Sequence, residues 1–193
     1  MTLLALLQAR NEQRFLPGWL ENVAPCVDGI IALDDGSTDA TADLLRAHPT
    51  VIELLSNPPG KPWDERGNQM ALVQAGRRHQ GGWFLCIDAD ERLEQSFAAR
   101  VGGLLHRLWI PLELASTIGT CGRHSEMNLY HLRMIAAADR AARAARYQSL
   151  DPGQLYQQVP YSRFADESGL QLKEIPPERD FLPFDDPAIR SQP

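Results

Sequence analysis

Four apolar runs, residues 3–9, 29–33, 51–55 and 83–87, alternate with three segments of helical spacing, residues 11–23, 38–47 and 64–79. Phe15, Trp19, Leu20 and Val23 fall on one face of the first helical segment. Ala40, Leu44 and Ala47 do so in the second. Ser37 or Thr38 stands where a side chain can cap the second helix. SNPPGKP, residues 56–62, reads as a loop by its proline and glycine content. Gly81 and Gly82 break the third helix before the fourth run, and another helical stretch follows at residues 93–108. A strand that runs parallel to its predecessor needs a crossover long enough to hold a helix. The order therefore predicts an α/β fold, with a mainly parallel sheet covered by helices on both faces.

Such a Rossmann-like, three-layer α/β/α sheet binds ligands at the carboxyl ends of its strands. Two acidic clusters fall at those ends. DDGSTD, residues 34–39, follows the second run, and DAD, residues 88–90, follows the fourth. Crowding carboxylates at the end of a buried strand is costly unless they hold something. Two acids one residue apart suit a hard divalent cation, Mg2+ or Mn2+, of the kind shared with substrate phosphates. The small Ala89 lets Asp88 and Asp90 both face a cleft. The ion would offset their repulsion and act as a Lewis acid on a leaving nucleoside diphosphate. Each cluster alone has a plainer reading: DAD as helix-capping or solvated acids, and DDGSTD as a turn with an N-cap. Their combination in one four-strand pattern is more specific.

ALLQARNE, ALDDGSTDAT, DERGNQMALVQAG and WFLCIDADERLE, in that order, resemble the nucleotide-binding half of family 2 glycosyltransferases. That family has the GT-A fold of nucleotide-diphospho-sugar transferases, and the resemblance covers roughly residues 1–100. It implies that Ala9, Arg10 and Glu12 belong to a loop lying against the nucleotide. Asp35 matches the acid that recognises the base, with Asp34 supporting the turn. Arg66 stands where relatives carry a basic residue near the nucleotide, although ERGN departs from the more usual A-R-N. Asp88 and Asp90 match the D-x-D motif, whose first acid approaches the ribose and whose last binds the metal. NLYHLRMI followed by DRAARAARYQSLDPG resembles the end of some bacterial members, and makes His131 a third metal or diphosphate contact. A histidine packed at a helix start is the plainer alternative. Arg140, Arg143 and Arg146 read as a solvated helix face.

The implied activity is a metal-dependent, inverting transfer of a sugar from a nucleotide-diphosphate donor to an acceptor hydroxyl. Such an enzyme needs an acidic base to take the acceptor's proton. Between DADERLEQSF and HLRMI the family pattern looks shortened. Glu113 and Glu126, the carboxylates in that stretch, have no persuasive context, so the base and the acceptor are unassigned. The alternative is a nucleotide-sugar-binding or interaction protein derived from such an enzyme. DDGST also prompts a phosphatase of the haloacid dehalogenase type. That chemistry wants a nucleophilic Asp two positions before a second one, and neither Ala32 nor Leu33 supplies it.

Composition narrows the rest. A chain of 193 residues with 44% hydrophobic content can bury a core of its own. A formal net charge of −6 and a pI near 5.3 argue against a nucleic-acid partner. Three cysteines without C-x-x-C argue against a disulfide framework or a structural zinc. They read as reduced thiols in a cytoplasmic protein, with Cys26 and Cys86 in the core. No window approaches the ~20 apolar residues of a membrane span. Peripheral attachment to the inner face of a membrane stays open. The expected organisation is a nucleotide-sugar-binding unit at 1–108, a helical extension at 109–150 and a proline-rich tail at 151–193. A reduced acceptor half would leave apolar surface for a homo-oligomer.

Overall fold

The computed structural model of the protein describes residues 2–107, 127–155, 159–169, 173–183 and 185–190. Strands β1 (Leu3–Ala9), β2 (Gly29–Asp34), β3 (Val51–Ser56) and β4 (Trp83–Cys86) form one sheet in the order β3-β2-β1-β4. All its pairings are parallel. Successive side chains alternate between the faces. Ala5, Leu7 and Ala9 of β1, with Ile30 and Ala32 of β2, pack on helices α1 (Leu16–Val23) and α2 (Thr41–Ala47). Leu4 and Leu6, with Ile31 and Leu33, pack on the other side against Leu72 and Ala75 of α3 (Glu65–Arg78). Burial on both faces is why the two central strands read as continuous apolar runs rather than alternating ones. Leu16, Trp19 and Val23 anchor α1 with no exposed surface. Side chains of this size contribute about 1.5–3 kcal/mol each on burial.

The chain then leaves the parallel sheet. β5 (Glu91–Leu93) pairs antiparallel with β6 (Leu129–His131), and α4 (Phe97–Arg107) lies between them in sequence. A 3-10 turn at Leu132–Met134 leads into α5 (Ala137–Leu150), and α6 (Pro187–Arg190) comes last among the described residues. Register places Glu91 opposite His131, so β6 delivers its histidine to the DAD turn.

Several boundaries differ from the sequence expectation for identifiable reasons. α1 starts at Leu16, not residue 11, because Asn11 takes a left-handed φ of 56°. α2 starts at Thr41. Ser37 and Thr38 do not cap it: Ser37 Oγ accepts from Asn11 N–H at 3.0 Å, and Thr38 N–H donates to Asn11 Oδ1 at 2.8 Å. Asp39 instead accepts from Thr41 N–H at 2.9 Å. The helix expected from residue 93 begins at Phe97. Asn22 of α1 holds both backbone groups of Leu93, at 2.8 Å and 3.0 Å, and keeps that segment extended. Cys26 is half-buried and Cys86 exposed, so Cys86 is not a core thiol. Glu113, Glu126, Pro111 and Cys121 lie outside the described residues.

The segment after Asp151 carries buried anchors. Phe181 joins Phe15, Leu132 and Ala188 in one apolar cluster and packs on Tyr130 at 5.3 Å between centroids. Asp186 and Arg92 form an ion pair of 2.7 Å, and both side chains are 0% exposed. The same guanidinium donates to the carbonyls of Ala89 at 2.9 Å, Glu91 at 2.8 Å and Phe15 at 2.8 Å. Arg92 thus ties the DAD turn to α1 and to the last helix. Gly18 makes the approach feasible, because a Cβ there would lie 2.0 Å from Asp186 Oδ2. No helix among the described residues is long and apolar enough to cross a membrane.

Candidate functional site

A cleft of about 640 Å3 lies where the strand ends meet the β5–β6 ribbon and α5. Gln8, Arg10 and Glu12 reach it from the β1 end, Asp35 from the β2 end, and residues 86–91 from the β4 end. Arg133, Arg143 and Arg146 close the side opposite the sheet. The two acidic clusters therefore open on one cavity.

In the first cluster the pair divides its labour. Asp34 Oδ1 accepts from Ser37 N–H at 3.2 Å, and its carbonyl accepts from Asn57 N–H at 2.8 Å. Gly36 follows with φ of 73°, and a Cβ there would come 2.9 Å from the Pro58 carbonyl oxygen. The turn is thus closed by Asp34 and permitted by glycine. Asp35 is 2% exposed and lines the cleft. Its N–H donates to Ala9 O at 2.9 Å, and its Oδ1 accepts from Asn57 Nδ2 at 2.7 Å. Asn57 Nδ2 also donates to Asn68 Oδ1 at 2.8 Å, and Lys61 Nζ donates to Asn57 Oδ1 at 3.1 Å. Buried Asn68 Nδ2 has no partner among the described residues. This network fixes the Asp35 carboxylate against the cleft wall.

The second cluster is a tight turn. Glu91 N–H donates to Asp88 O at 3.0 Å, and Asp88 N–H donates to Glu91 Oε2 at 2.7 Å. Asp88 is exposed and Asp90 buried. Three basic side chains face Asp90 Oδ2: His131 Nδ1 at 3.1 Å, Arg133 Nε at 3.1 Å and Arg143 Nη1 at 3.6 Å. Burial by itself would raise the Asp90 carboxyl, but His131, Arg133 and Arg143 hold it below the ordinary carboxylate range. Glu91 shifts the other way, raised by burial and by the charges of Asp88 and Asp90. Ligand atoms of Asp88, Glu91 and His131 lie within 4.8 Å of one another, close enough to share one ion. Carboxylate oxygens with one imidazole form a donor set that Mn2+ accepts readily. Glu12 pairs with Arg133, yet burial lifts its carboxyl to about 7.

Ala9 sits buried at the end of β1 and meets Asp35 through its carbonyl. Arg66 is exposed on the first turn of α3, and its neighbours Glu65 and Gln69 line the cleft in its place. Of the α5 arginines expected on a solvated face, Arg146 is exposed, but Arg140 and Arg143 are not. Arg140 is buried and donates to the carbonyls of Met134 at 2.9 Å and Ile135 at 2.6 Å. Arg143 donates toward His131 Nε2 at 2.6 Å. Its burial follows from Tyr147 and Phe164, whose rings stack against the guanidinium at 5.6 Å and 5.7 Å.

Sequence reasoning missed Asn57, Lys61, Asn68, Glu91 and Arg133. One of these left a signal: Asn68 falls four residues before Leu72 on the core face of α3, where a polar side chain needs a partner.

No family model matches the chain. Over 105 residues it is 32% identical to an uncharacterized protein of Mycobacterium tuberculosis and, equally, to one of Mycobacterium bovis. That stretch is 52% of this chain and 26% of each relative, so the chain matches about a quarter of their length. Among solved structures it is similar to Staphylococcus aureus TarS 1-349, at 17% identity and a TM-score of 0.46, covering 55% of this chain and 33% of that one. A second likeness is to glucosyl-3-phosphoglycerate synthase of M. tuberculosis in complex with Mn2+, UDP-glucose and phosphoglyceric acid. There the identity is 26% and the TM-score 0.40, covering 55% of this chain and 39% of that one.

Proposed function

We propose that the cleft holds a nucleotide-diphosphate sugar and that the protein is an inverting, family 2-type glycosyltransferase. One observation carries the reading: Asp35 and the Asp88–Asp90 turn, at the ends of two different strands, line one cavity. Asp35 is held by Asn57 and accepts a ring N–H of the base. The 9–12 loop flanks the nucleotide, and Asp88 reaches toward the ribose and the diphosphate. Asp88, Glu91 and His131 would hold a divalent cation: Asp90 faces His131 Nδ1 at 3.1 Å, and the ion would take Nε2 in place of its 2.6 Å contact with Arg143. When bound, the cation supplies Lewis acidity for the charge that collects on a departing nucleoside diphosphate. Arg133 and Arg143 add fixed positive charge beside the same place.

A second reading, donor binding without transfer, draws on the engagement of Asp90 by His131, Arg133 and Arg143, which leaves it little freedom to reach an ion. The two readings agree on binding and differ on turnover. Calorimetric titration with UDP, GDP and dTDP sugars, with and without Mn2+, tests both. Metal-dependent binding of at least one donor is expected, and binding of none would end both. Donor hydrolysis or transfer that Asp88→Asn abolishes would then decide for the enzyme.

A further inference from the structure

A second cavity of about 330 Å3 opens beside the cleft and shares Arg10, Trp63, Arg133 and Arg146 with it. Asn11 and Leu150 complete its wall. Three guanidinium groups and no carboxylate line it, in a chain of formal net charge −6. In the main cleft the same arginines, joined by Arg143, stand among carboxylates that include Glu12, Asp35, Asp88 and Asp90. Arg133 directs its charge inward, pairing with Glu12 and lying 3.1 Å from Asp90. Arg10 and Arg146 form no ion pair within 4.0 Å among the described residues, and Arg146 acts on Glu12 only from a longer range. They come from the loop after β1 and from α5, so the tertiary fold, not a helical repeat, brings them together.

Guanidinium groups bind phosphate through paired N–H donors, and are less strongly hydrated than ammonium groups. A cavity of this volume takes a small organic molecule rather than a bare ion. Trp63 and Leu150, both partly exposed, offer it apolar contact. We infer that this rim cavity binds the phosphate group of a phosphorylated acceptor. The assignment to an acceptor rests on the donor reading above. In that reading the reacting carbon adjoins the diphosphate, at the Asp88–Asp90 turn. Arg133 connects Asp90 to the rim cavity, so a phosphate held there keeps the rest of its carrier within one side chain of the transfer point.

The test titrates the metal-free protein with glycerol phosphate in one arm. A second arm uses phosphatidylcholine vesicles containing phosphatidic acid. Binding in the first arm identifies a small phosphate ester, and binding in the second alone a lipid phosphate. Exposed Arg146 tolerates change, and Arg146→Gln should weaken binding roughly tenfold. Asp35→Asn should leave it unchanged, as should saturating UDP with Mn2+. No binding in either arm, or binding indifferent to Arg146→Gln, overturns the proposal. Competition by UDP also overturns it, because Arg146 would then serve the donor's own phosphates together with Arg133. Arg146-dependent phosphate binding in a protein that binds no nucleotide would keep the anion site but remove the donor reading, and with it the assignment to an acceptor.

Discussion

Asp186→Ala isolates what holds the DAD turn in place. The substitution leaves the Arg92 guanidinium, 0% exposed, without its counter-charge at 2.7 Å. Breaking a buried pair by removing one partner costs about 3–5 kcal/mol, because the remaining charge stays desolvated. Here the carbonyls of Ala89, Glu91 and Phe15 still accept from Arg92, which favours the lower end. Against that, Ala188 N–H loses its acceptor at 2.8 Å, a loss of order 1 kcal/mol. The sum is about 3–4 kcal/mol. At about 2–4 °C per kcal/mol for a chain of this size, the melting temperature should fall by roughly 6–16 °C. Urea unfolding at neutral pH checks the free energy, and calorimetry checks the temperature. Arg92→Met combined with Asp186→Ala removes both charges and should be more stable than Asp186→Ala alone. A loss below about 1 kcal/mol in the single variant, or a double variant no more stable than it, would refute the reasoning.

Two further outcomes follow from the same geometry. Gly18→Ala should destabilise by about 1–3 kcal/mol although alanine favours helices, because the new Cβ would meet Asp186 Oδ2 at 2.0 Å. In an Asp186→Ala background the same change should be neutral or stabilising, and chemical denaturation of the four variants measures that coupling. Burial raises the Glu12 carboxyl from 4.5 to about 7, over the opposing pull of Arg133. A raised acid stabilises the folded state in its protonated form. That contribution is complete below about pH 4.5 and lost as pH rises through about 7. Melting curves of the metal-free protein should therefore show stability declining across this window, and Glu12→Gln should flatten the decline.

The parallel sheet was legible in the sequence because its strands are buried on both faces and separated by helical crossovers, both of which leave periodic signals. The ends of the helices were less legible. Asn11 and Asn22 act through hydrogen bonds to residues far along the chain, and no local pattern reveals them. The acids of the site could be read because they fall where strand signals stop. Their partners could not. Asn57 sits in a proline-rich loop, and Arg133 and Arg143 reach Asp90 only because β6 pairs with β5. The alanine- and arginine-rich stretch reads as a helix and forms one, with Arg146 exposed as its spacing suggests. Arg140 and Arg143 turn inward instead, because tertiary packing supplies Met134, Ile135 and Asp90 as their partners.

Asp35 and the Asp88–Asp90 turn should grip two parts of one donor. Calorimetric titration of UDP into wild-type, Asp35→Asn and Asp88→Asn proteins, each with Mn2+ and with EDTA, tests that most directly. Wild-type protein should bind UDP more tightly with Mn2+ than with EDTA. Asp35→Asn should weaken binding under both conditions, and Asp88→Asn should remove only the gain from Mn2+. Equal affinity in all three proteins, or no effect of Mn2+ on any of them, would contradict the claim.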